Sequence, residues 1–78
     1  MPRGMKSPPG TIGYMGIDQH GTHYDNLDLK SPRQDLMNRL GARTAKPMFV
    51  DLKSGGSRQV GWVIGKLWVS VYAVSSAW

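Results

Sequence analysis

The dipeptide Gly65-Lys66, set between two apolar runs, constrains this chain more than any other feature. Glycine takes a positive φ without steric cost, so a Gly-X pair fits a two-residue type II′ hairpin turn. Such a turn fixes a register: Ile64 faces Leu67, Trp62 faces Val69 and Val60 faces Val71. Directly opposed residues share a face of a sheet. Val60, Trp62, Ile64, Leu67, Val69 and Val71 therefore make one uninterrupted apolar face, which is assigned to the core. A slip of one residue would exchange the faces, and the clean segregation argues against it. The opposite face carries Gln59, Gly61 and Val63 against Tyr72, Ser70 and Trp68. The Trp68 and Tyr72 rings project the same way. Either a helix packs over them, as aromatics in small cores require, or they form an open platform for bases or a partner.

A second strong signal is Ser31-Pro32-Arg33-Gln34. Ser as N-cap, Pro at the first helical position and Gln at N3 predict a capping box. The helix runs over 32–40, with Gly41 as its C′ residue. Leu36, Met37 and Leu40 lie on one face. Nine residues are too few to stand alone, so that stripe must dock on the sheet. Residues 42–46 are expected to add a short helical turn that Pro47 ends. Arg39, Arg43 and Lys46 then gather near the helix C-terminus. They serve either the helix dipole or a phosphate- or carboxylate-binding patch.

Residues 48–53 read as a further strand, joined through Ser54-Gly55-Gly56-Ser57 to a strand at 58–64. With an even loop, Lys53 faces Arg58 and Phe49 faces Trp62, but Asp51 then falls on the core face. The conflict predicts a bulge in the Gly-Gly loop or a sheet covered on both faces. The fold expected is α+β: one short helix packed on a three-stranded antiparallel meander at 48–53, 58–64 and 67–74. A small SH3-like β-barrel is the alternative. Residues 1–16, rich in Gly and Pro, read as a flexible basic segment with Arg3 and Lys6. Residues 17–78 form the single domain, and 11–17 are a candidate edge strand.

The chain of 78 residues has ten Lys or Arg against five Asp and a net charge of +5. The excess lies wholly in residues 29–78, which favours a polyanionic partner or an acidic protein surface. There is no cysteine, so disulfides and thiolate chemistry are excluded. No apolar run reaches membrane-spanning length, and a cytoplasmic location is expected. One cluster has ligand chemistry: Asp18, His20, His23 and Asp25, a weak candidate for a divalent metal. Gly21 and Thr22 favour instead a polar loop bonded to its own backbone.

No catalytic or cofactor motif stands out, so the chain reads as a binding module rather than an enzyme, with no cofactor. The first expectation is nucleic-acid binding, to DNA or RNA. Arg33, Arg39, Arg43, Lys46, Lys53, Arg58 and Lys66 would contact phosphates, and Trp68 or Tyr72 would stack on bases. The alternative is a protein-interaction module, a small inhibitor or adaptor on an acidic surface, with Trp68 or Trp78 as anchor. An exposed edge strand at 48–53 would also permit a homodimer.

Overall fold

The computed structural model describes residues 8–75. The basic arm of Arg3 and Lys6 and the terminal Trp78 lie outside the described residues. The fold combines one helix with one antiparallel sheet of five strands. In chain order these are β1 (Thr11–Ile17), β2 (His23–Leu27), α1 (Pro32–Leu40), β3 (Lys46–Asp51), β4 (Ser57–Ile64) and β5 (Leu67–Ser75). Their order across the sheet is β2-β1-β5-β4-β3.

Near its turn the hairpin of β4 and β5 has the register that the turn dictates, but the expected Val60–Val71 pair does not form, because Val60 is bulged out of β4. Trp62 pairs with Val69, Val63 with Trp68 and Ile64 with Leu67. Gly65 has φ of 61°, while Lys66 keeps a negative φ, the sign pattern of a II′ turn. Trp62, Ile64, Val69 and Val71 are buried, so the apolar face is the core face.

The expected three-strand meander is only part of the sheet. β1 lies inside it, paired with β5 on one side and β2 on the other. The folded unit therefore begins upstream of residue 17, and β1 is not an edge. Among the described residues the sheet is open, with β2 and β3 as its edges, so the barrel alternative does not hold. β2 escapes sequence reading because His-Tyr-Asp-Asn-Leu is mostly polar and carries a bulge. Asp25 and Asn26 together oppose Met15, and Asn26 takes φ of 53°. Asparagine tolerates that conformation better than most residues.

α1 has the predicted bounds but not the predicted cap. Ser31 makes no side-chain cap bond. Its N–H donates to Asp28 Oδ2 at 2.7 Å, and the Gln34 amide donates to Asn38 Oδ1 rather than reaching back. At the other end Gly41 takes φ of 64°. The Gly41 N–H reaches the Asn38 carbonyl and the Ala42 N–H the Met37 carbonyl, the two bonds of a Schellman stop. Residues 42–45 continue no helix, and Lys46-Pro47 instead opens β3. Proline fits there because an edge strand can spare an N–H.

Leu36 and Met37 bury themselves in one core with Tyr14, Tyr24, Leu27, Trp62, Ile64 and Val69, and Leu40 is packed against it. Arg39, ion-paired with Asp35 within α1, donates to the Asn26 carbonyl and so ties the helix to the β2 end. The helix therefore covers one face of the sheet and leaves the other open. Among the described residues no helix is long and apolar enough to cross a membrane.

Candidate functional site

The uncovered face can be read from the strand registers. Opposed residues share a face, so the row His23, Ile17, Ser70, Gly61 and Met48 crosses all five strands on the side away from α1. One pleat to one side, Lys46, Val63 and Trp68 make a parallel row. To the other side Tyr72 pairs with Met15. Trp68 is 60% exposed and Tyr72 54% exposed. Four residues of strand place their backbones about 13 Å apart. Between them the floor is Ser70 and, beside it, Gly61, which leave little side chain between the two rings.

Gly61 is required at this point. A Cβ there would fall on the Val69 carbonyl. The close approach of β4 to β5 is thus possible only without a side chain.

Trp68 is also held from below. Past the end of β1, the Gln19 carboxamide accepts the Trp68 N–H at 2.7 Å and donates to the Lys66 carbonyl at 2.6 Å. The side chain continues the β1–β5 ladder after the backbone has turned away. No local pattern signals this, since the contact spans most of the chain. Sequence reading missed Gln19, and also Met15 and Ile17, which flank the rings on β1.

The expected cations divide between the two sides. Lys46 lies on the open face, two strands from Trp68, a backbone separation of about 10 Å. Arg58 pairs with Val50, which lies two residues beyond Met48 on the same strand and so shares the open face. Lys66 sits in the turn beside Trp68, and Lys53 in the β3–β4 loop; both are exposed. On the helix side Arg33 donates to the Ala45 carbonyl at 3.3 Å. Arg39 is committed to Asp35 and Asn26. Arg43 is exposed just beyond α1. The expected patch of Arg39, Arg43 and Lys46 is therefore not a single surface, because Lys46 belongs to the open face.

The Asp18–Asp25 loop is organised by hydrogen bonds. Asp18 is buried. Its Oδ1 accepts the His20 and Thr22 N–H groups at 2.9 and 3.0 Å, and its Oδ2 accepts the Tyr24 hydroxyl at 2.7 Å. These bonds, the Tyr24 one foremost, hold the Asp18 carboxyl below its ordinary range despite burial. Burial first and the Asp18 carboxylate second push Tyr24 up to about 12. His20, His23 and Asp25 are exposed, and among the described residues no three ligand side chains converge. Asp18 thus serves as the loop's organiser, as the polar-loop reading expects.

Compared with protein-family models, with curated proteins and with solved structures, the chain matches none.

Proposed function

We propose that the protein binds single-stranded nucleic acid on the open face of its sheet. The observation that carries this reading is the joint exposure of Trp68 and Tyr72 on the face opposite α1. Two rings fixed on one strand offer stacking surfaces to unstacked bases, and every base has a π-face to present. A duplex keeps its bases stacked, so the same platform gains little from it. Lys46 and Arg58 on that face, with Lys66 at the turn, would meet the phosphates. The net charge of +5 would raise the encounter rate.

The test is a tryptophan-fluorescence titration with mixed-sequence single- and double-stranded DNA and RNA. Single strands should quench and bind more tightly than duplexes. Replacing Trp68 by Ala should weaken binding about 10- to 100-fold, the loss of one stacked base. Equal affinity for duplexes, or a Trp68→Ala protein that binds like the parent, would sink the reading. A second reading, docking on another protein, is favoured by a groove toward the far end of β5 that Tyr72 and Arg58 also line.

A further inference from the structure

The β4–β5 ladder runs from Ile64–Leu67 only as far as Gly61–Ser70. Yet β4 starts at Ser57 and β5 continues to Ser75. Beyond Gly61 and Ser70 the two strands part, β4 staying with β3 and β5 with β1. The cause is a bulge. Gly61 pairs with Met48 and Gln59 with Phe49, so Val60 is an extra residue on β4. An extra residue bends its strand and sharpens the twist.

The fork encloses a groove of about 800 Å³. Phe49, Val50, Leu52 and Tyr72 line it, and all four are exposed large hydrophobics. Single exposed apolar residues need no explanation, but four around one groove mark a docking surface. The walls are strand edges whose groove-side backbone, at 58–60 and 71–73, has no strand partner among the described residues. Among the described residues Arg58 is the one charged residue lining the groove. It forms no ion pair among the described residues.

We infer that this groove takes an extended peptide strand from a partner protein, apolar at alternate positions and carrying an Asp or Glu opposite Arg58. Open strand edges reward an extended backbone with ladder bonds, which a helix cannot make. Alternate side chains of an added strand point to one side, where Val50 and Tyr72 of the open face stand. An unpaired guanidinium favours a carboxylate, which it binds with two parallel bonds. The groove shares Tyr72 and Arg58 with the nucleic-acid face but not Trp68, so Trp68→Ala should weaken nucleic-acid binding and leave peptide binding unchanged.

The test is a nitrogen-15 amide titration of the full chain with capped hexapeptides that alternate valine and threonine. One central polar position carries Asp, Lys or Thr. The Asp peptide should shift the amides of 58–60 and 71–73 and slow their hydrogen exchange. The Lys peptide should bind about fivefold more weakly. Arg58→Gln should erase that preference, and Lys30→Gln, in the loop before α1, should keep it. No shifts at millimolar peptide, shifts confined to other strands, or an unchanged preference in Arg58→Gln would overturn the inference. So would sedimentation showing that the chain alone dimerises with the same amides protected, because the occupant would then be a second copy.

Discussion

Asp18 and Tyr24 show how one pair of side chains sets the pH limits of a loop. The Tyr24 hydroxyl donates to Asp18 Oδ2 at 2.7 Å, and both residues are largely buried. The folded protein therefore keeps the Tyr24 proton up to about 12, against an ordinary value of 10.0. A group whose folded pKa is raised contributes stability that is complete below its unfolded pKa. That contribution should fade as pH climbs from about 10 to about 12. Asp18 works in the opposite direction. Its folded pKa is lowered, so its contribution is present above the ordinary carboxylate range and is lost as pH falls through the folded value. Urea midpoints measured against pH should thus fall at both ends. Tyr24→Phe should flatten the alkaline limb and remove the late phenolate step from an ultraviolet titration. An alkaline limb unchanged in Tyr24→Phe would assign it to another group.

β4 carries the largest share of what distinguishes this sheet from a plain meander. Its Gly61 brings it against β5, and its Val60 bulge immediately parts the two strands. Gly61→Ala would force the Val69 carbonyl away and open the ladder toward Trp62 and Val69. Overpacking of this kind should cost on the order of 3 kcal/mol. Thermal unfolding and the emission wavelength of the tryptophans would report it, and a variant as stable as the parent would show that β4 can slide without loss. Much of this architecture is legible in the chain. The Gly65-Lys66 turn predicts the hairpin register, and Pro32 with Gly41 predicts the helix bounds, because both signals are local. The even register proposed for 48–53 fails. The observed pairs put Lys46 opposite Val63 and Asp51 opposite Ser57, and the bulge lies within β4 rather than in the Gly-Gly loop. A bulge at Val60 leaves no local mark, since valine is an ordinary strand residue. The same holds for β2, whose polar residues belong to an edge, and for Gln19, whose partners are Lys66 and Trp68.

Charge is sorted by face over the whole molecule. On the helix side, Arg33 and Arg39 spend their donors on Ala45, Asn26 and Asp35, and so hold α1 to the rest of the fold. On the sheet side, Lys46, Arg58 and Lys66 make no ion pair among the described residues and surround the exposed rings. The composition predicted a partner of opposite charge but could not say which cations were free to meet it. That depends on the contacts Arg33 and Arg39 make with Ala45, Asn26 and Asp35 in the folded chain. If nucleic acid binds the open face, the two sets of cations should part company in a salt titration. Each phosphate contact on a single strand contributes about 0.7 to the slope of log affinity against log salt. A Lys46→Gln and Arg58→Gln double variant should therefore lower the slope by about 1.4 and weaken binding to all sequences alike. Arg33→Gln with Arg39→Gln should leave the slope unchanged and instead lower the unfolding midpoint, because those donors act within the fold. The opposite pattern would move the binding surface to the helix side and leave Trp68 and Tyr72 for another partner.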